Sequence, residues 1–558
     1  MERKEVFLTD MYEAFEPKEV MSLEFDSSKL NIIPYENEDY SGRYITSTLS
    51  NNYPSIYCDP KLSGWYKIYL GHPGKVRYMS VIKLTKDSHS SYIEGIDSNY
   101  AEEMFWRCAD MTDQKIEMYS YTTLASIRFV PMSDDEVEAH KADLAQRETK
   151  KFYVADDMFH SFTWTKNVDL WVTNVDKYRE SDAEWFAPEC WYAPADDEFY
   201  YNVRKAMVIK AHELGMKVAH SSRMAHWGGG YPYHYKGLGK EFSDEHLELR
   251  CHDRNGELTY GMSYAYPEVR RHMIDVLLNA VRCGGEAVSL LVNRGTPYVL
   301  FEKPVVDRFF ERYGEYPYDR RLDDPELNDI HCEFIEEFFQ ELRDTLDKEF
   351  GKDKIEIHIR GFNSINDCKY VGVDVERLVK KGLLNAIATH PRRFIEILPN
   401  EVMRADAPNR IDMDKYNEYI KHNETSTMHY GEGDMYEQFP TCNSELVGPA
   451  SIKENAMQWV EFSNKYNIPV YFDYTFCGNS NEELMKGVSE LYDLGIENLT
   501  VFNTVLAYRP TPIWNLVRNI CHKEDMKNPD YLKDKYIKRR VISINGVNYK
   551  RYHFHMNG

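Results

Sequence analysis

Three carboxylates stand where short apolar runs of this chain end. Glu189 follows the run WFAP, Glu302 lies between Phe301 and Lys303, and Asp473 lies between Phe472 and Tyr474. Two carboxylates facing each other across a pocket act on a glycosidic bond as acid and base, or as acid and nucleophile. The apolar and aromatic surroundings of Glu189 predict a partly desolvated carboxyl of the kind a general acid needs. The same run-ends carry His160, Arg223, Trp227, Asn293, Arg294, His358, Arg360, His390 and Tyr474. Together they predict a pocket with imidazole, amide and guanidinium donors and aromatic walls, suited to a polar small ligand. Arg223, Arg294 and Arg360 suit an anionic sugar, because guanidinium forks match carboxylates and sulfates, and they could equally pair with the local acids. A mixture of histidines and carboxylates can also hold a divalent metal, as in barrel isomerases. The chain has no HExxH, however, and its HxH, His553 and His555, lies in the C-terminal tail. No metal ligand and no cofactor is assigned.

The elements that must position these groups follow from periodicity. In KIEIHIRG (354–361), Ile355, Ile357 and Ile359 alternate with Glu356, His358 and Arg360. A period of two gives a strand with one apolar and one ionisable face, and in a barrel the isoleucines pack on helices while the polar face looks inward. Seven further strands are expected at 152–157, 184–191, 216–222, 286–294, 383–390, 468–474 and 498–503, with helical segments between them. Eight strand–helix units over residues 151–505 predict an α/β fold of the (β/α)8 TIM-barrel type, whose chemistry lies in the loops after the strands. The run that ends in Asn293 and Arg294 reads as its fourth strand. A doubly wound sheet is the alternative, but no glycine-rich phosphate loop follows the first strand.

Residues 1–132 read differently, as short β runs divided by Gly, Pro and Asp turns, and predict a separate N-terminal β-sandwich domain. Residues 133–150 read as a charged helical linker. Residues 506–558 form a short C-terminal extension in which Asn545-Gly546 signals a hairpin that could add strands to the sandwich.

The 558-residue chain carries 68 Lys and Arg against 91 Asp and Glu, a net charge of −23, which argues against nucleic acid or an anionic membrane surface as partner. No run approaches the length of a membrane span, and the first twenty residues lack the apolar core of a signal peptide, so a cytoplasmic protein is expected. Ten cysteines without CxxC spacing predict reduced packing residues. The expected partner is a carbohydrate substrate, and a homo-oligomer is left open.

The stretches YAYPEVRRHMIDVLLNAVRCGGEAVSLLVNR and VDVERLVKKGLLNAIATH resemble the bacterial family 10-like glycosyl hydrolase proteins. The matching positions are Pro267 to Arg270, then Asp374, Leu378, Val379, Gly382, Leu383 and Asn385. The resemblance implies a glycoside-hydrolase barrel accompanied by a β-rich module. Those relatives carry acidic residues at the end of strand four, where this chain has Asn293 and Arg294, and Glu302 in the following loop is the nearest substitute. The leading expectation is a glycoside hydrolase-like enzyme acting on a small, anionic or neutral, glycoside or oligosaccharide. The alternatives are a metal-dependent barrel isomerase or lyase acting on a sugar, and a non-catalytic sugar-binding barrel.

Overall fold

Alternation along short strands decides the architecture. In the computed structural model the segments β1 (Phe152–Asp156), β2 (Ala183–Pro188), β3 (Lys217–Arg223), β4 (Ala287–Leu291), β5 (Glu356–Arg360), β6 (Ala386–Ala388), β7 (Val470–Asp473) and β8 (Asn498–Phe502) pair in parallel and close into one barrel. The structure describes residues 4–47, 53–74, 78–95, 100–145, 151–156, 167–189, 198–224, 240–256, 258–293, 298–396, 442–446, 449–474, 481–502, 516–528, 530 and 536–544. Alternate strand residues, among them Phe152, Val154, Val218, Val288, Leu290, Ile357, Ile359 and Phe472, are buried in the apolar cluster shared with the helices, while His220 and Ser222 on β3 keep the same parity as buried polar groups. The intervening positions form a separate inner cluster of Tyr153, Trp185, Ala187, Ala219, Ala287, Ala386, Ala388 and Tyr471. Parallel strands covered on the outside and filled on the inside must be apolar on both faces wherever no ligand enters.

The helices on the outside are α1 (Val168–Asp176), α2 (Glu198–Glu213), α3 (Pro267–Val281), α4 (Lys303–Tyr313), α5 (Pro325–Phe350), α6 (Pro449–Tyr466) and α7 (Asn481–Asp493), with two short helices between β5 and β6. Pro267 and Pro304 sit in the first turns of α3 and α4, where the missing N–H costs nothing. Asp324 caps α5 by accepting from the Glu326 and Leu327 amides. An excursion between β3 and α3 forms a small antiparallel hairpin, Arg250–His252 with Leu258–Met262.

Outside the barrel, two mainly antiparallel sheets of nine and four strands share one apolar core, with Ile32, Ile68, Leu70 and Met104 from the larger and Ile56, Ile82, Leu84 and Met118 from the smaller. The helix Asp134–Ala145 follows them. The C-terminal strand Tyr536–Ile544 returns to the larger sheet and lies between Tyr100–Asp110 and Leu30–Asn37. The Asn545-Gly546 hairpin falls outside the described residues.

The smaller sheet rests on α1 and α2. Val81, Tyr92, Tyr121 and Leu170 pack across this boundary. Beside them Asp176 takes Arg179 at 2.5 Å and Lys210 at 3.2 Å, and accepts from the Ser91 hydroxyl. Burial opposes its ionisation, but the two cations outweigh burial and hold the Asp176 carboxyl well below the usual carboxylate range.

Candidate functional site

The strand register sorts the inward side chains into layers contributed by alternate strands, as expected for an eight-stranded barrel. The floor holds Tyr153, Trp185, His358 and Tyr471 in mutual ring contact, with Trp185 meeting His358 at 4.6 Å edge-on. His358 Nε2 lies 2.8 Å from Glu356 Oε2, and its Nδ1 lies 3.4 Å from the Tyr153 hydroxyl. Glu356 is part-exposed at the amino-terminal opening, near Lys151 and Lys217. Burial pushes the His358 imidazole below its ordinary value even though Glu356 pulls the other way. The expectation that His358 lines a pocket at the carboxyl ends of the strands is therefore corrected. It faces inward, but one layer too low, and its partner lies toward the opposite mouth.

Above the floor the inward side chains shrink to Ala187, Ser289, Ala388 and Thr500, and then polarity returns with Ser221, Arg360 and Asp473. Arg360 donates through Nη2 to Asp473 Oδ2 at 2.6 Å and through Nη1 to Thr500 Oγ1 at 3.4 Å. The Asp473 amide donates to Thr389 Oγ1 at 3.0 Å, which fixes the end of β7. Next come Glu189, Leu291 and His390, with Arg223 beyond. Arg223 grips Glu189 through Nε at 2.5 Å and Nη2 at 3.3 Å. Asp473 and Arg360 are 0% and 1% exposed, and Glu189 and Arg223 are 4% and 8% exposed. Charges this deeply buried are tolerable only when paired, and these are.

Asn293 occupies the next inward position past the end of β4. It is fully buried, and among the described residues neither atom of its amide head finds a hydrogen-bond partner; the same holds for Ser221 Oγ. Buried amides are normally satisfied, so a polar group from outside the protein is the natural complement. Ser221, Ser289 and Thr500 were not among the residues singled out from the sequence. Their signal was the same two-residue period that marks Arg223 and Arg360.

Two further expectations are corrected. Glu302 does not join Glu189 or Asp473. Its carboxylate accepts from the Leu300 amide at 2.9 and 3.1 Å, and Cys251 and Ser263 of the excursion lie against it within the helix layer. It precedes α4 as its N-cap residue. Burial pushes its carboxyl up to about 7, against the bonds from Leu300, Cys251 and Ser263. Tyr474 lies on the outward parity of β7, in the helix-side cluster, with its ring 6.2 Å from Phe152. Glu189 is buried, as its WFAP context predicts, and it is held by Arg223. His160, Trp227 and Arg294 lie outside the described residues. Among the described residues no group of three His, Cys, Asp or Glu side chains is gathered as a metal site.

No family model and no curated protein matches the chain, so the family 10-like likeness stays a resemblance. Solved structures do match. The glycoside hydrolase domain of PgaB (BpsB) from Bordetella bronchiseptica is 10% identical over 67% of this chain and 99% of that one, with a TM-score of 0.41. The maltogenic α-amylase AmyB from Thermotoga neapolitana is 11% identical over 69% and 78%, with a TM-score of 0.35. The glycoside hydrolase domain of PelA from Pseudomonas aeruginosa is 9% identical over 64% and 96%, with a TM-score of 0.33. At these values the likenesses bear on neither the activity nor the substrate of this chain.

Proposed function

We propose that the chain is a glycoside hydrolase-like enzyme that cleaves a glycosidic bond in a small glycoside or oligosaccharide. The reading rests on one observation above all: Glu189, just past strand two, and Asp473, at the end of strand seven, both turn inward in the carboxyl-terminal half of the closed barrel. Asp473, backed by Arg360, suits the anionic role, as nucleophile or as the charge that steadies an oxocarbenium-like transition state. Glu189, one layer nearer the mouth, supplies the acid–base function, with Arg223 setting how readily it takes a proton. Arg223 and Arg360 each already hold a carboxylate, so a neutral sugar fits this interior better than an anionic one.

The test is turnover of a panel of neutral and uronic 4-nitrophenyl glycosides by the parent chain and by Asp473→Asn and Glu189→Gln. An amide keeps the shape but removes attack or proton transfer, so each variant is expected to lose at least ~10²-fold in kcat while KM changes little. Near-parental turnover by both variants would overturn the assignment. One observation favours a second reading: both carboxylates are engaged in ion pairs, as in a barrel that binds sugars without cleaving them. Sugar-induced stabilisation without turnover of any panel member would select it.

A further inference from the structure

Phe310, Tyr316 and Tyr318 are exposed by 43%, 61% and 41% on the outside of the barrel. Their rings follow one another, Phe310 to Tyr316 at 4.9 Å with 27° between planes and Tyr316 to Tyr318 at 6.0 Å with 20°. Tyr318 in turn meets Phe301 at 6.2 Å and 32°. The middle ring is flanked on both sides yet is the most exposed, so the rings overlap as offset steps rather than as a closed pile, and each keeps part of a face open. The strip runs along α4 from Phe310 toward Phe301, just before the start of that helix, in the loop that follows β4 and Asn293.

The chain has been shaped to hold this strip. Gly314 ends α4 at φ 75°, a left-handed conformation that turns the chain back so that Tyr316 and Tyr318 lie along the helix. Arg254 donates to the Tyr318 and Arg320 carbonyls at 3.0 and 2.6 Å and places its guanidinium 5.0 Å above Phe301. Around the rings stand paired charges, Arg320 with Glu315 and with Asp324 at 2.9 Å, which offer donors and acceptors to hydroxyl groups.

We propose that this strip is an auxiliary binding surface for a neutral glycan chain, an oligosaccharide or the end of a longer polymer, whose C–H faces stack on the rings while its hydroxyls meet the charged rim. The choice of a glycan rests on the function proposed above. A second protein surface fits less well: rings of this size exposed to this degree offer roughly 300 Å², against the roughly 800 Å² per partner that a stable interface buries.

The test is native affinity electrophoresis of the full chain in gels containing hydroxyethylcellulose, galactomannan, xylan or dextran. At least one polysaccharide is expected to retard the parent, and Phe310→Ala/Tyr316→Ala is expected to weaken retardation about tenfold, as loss of two stacking contacts implies. Tyr316→Phe should stay near parental, and turnover of a small aryl glycoside should be unchanged in the double variant. Asp473→Asn should remain retarded, so a failure of the proposed catalysis and a failure of the strip are read separately. Retardation by none of the four, parental retardation of the double variant, or a dimer in size-exclusion chromatography that the double variant abolishes would each overturn the proposal.

Discussion

A carboxyl group buried away from water keeps its proton until the solution is basic enough to repay desolvation, and Glu302 is the clearest case in this protein. Its carboxyl is raised from 4.5 to about 7 by burial, against the opposing bonds from Leu300, Cys251 and Ser263. Between these two values the unfolded chain has released the proton while the folded chain still holds it. The contribution of this one carboxyl to stability therefore falls as pH rises from about 4.5 to about 7 and then levels off, by roughly 3 kcal/mol in all, while the buried His72, His220 and His331, whose imidazoles are pushed down, act in the opposite direction. Glu302→Gln keeps an acceptor for the Leu300 amide and carries no charge. It should flatten that slope and unfold later than the parent in urea at pH 8, while turnover stays near parental.

Strand elements explain what could be read in advance. Ile357 and Ile359 against His358 and Arg360 is a pattern that only one strand orientation satisfies, and all eight expected strands occur with ends shifted by a few residues. Parity alone does not give depth or the true end of a strand. The period of two puts His358 on the inward face but says nothing of its height, which depends on how eight registers combine around the ring. Grouping Tyr474 with Asp473 overlooks that neighbours on a strand face opposite ways. Glu302 was read from its place in the loop after β4. The partners that bury it, Cys251 and Ser263, come from an excursion whose hairpin has weak signals. Of the proposed interior, Glu189, Arg223, Arg360 and Asp473 were legible as residues, but their pairing was not, since each pair joins separate strands. Because Tyr474 belongs to the helix side of β7, Tyr474→Phe is expected to leave kcat and KM on an aryl glycoside near parental. Circular dichroism melts would show a loss of about 0.5–1.5 kcal/mol, the usual net contribution of one buried hydroxyl.

At the scale of the molecule, the sheets and the barrel are joined by charge as well as by apolar contact. Lys210 and Asp176 are each 2% exposed in their side chains, and Arg179 links them toward Asp87, which holds Arg107 at 2.7 Å. Asp176→Asn would leave Lys210 without its buried counter-charge, a loss of about 3–5 kcal/mol. The expected signature is a shift of the urea midpoint, together with faster protease cleavage at the boundary around Ser91.

The strand Tyr536–Ile544 also carries a consequence for how the chain is made. Arg539 reaches Glu103 across 436 residues of sequence, and its strand supplies the neighbour that both Tyr100–Asp110 and Leu30–Asn37 need. During synthesis the first segments emerge from the ribosome long before the piece that closes them. Two strand edges, each a template for wrong pairing, wait open while the entire barrel is translated. Ribosome-bound chains arrested so that the barrel has cleared the ribosome while residues 536–544 are still held within it should therefore be cut by protease within residues 1–132 while the barrel resists, and chains arrested far enough beyond residue 544 for that strand to clear the ribosome should be protected in both parts.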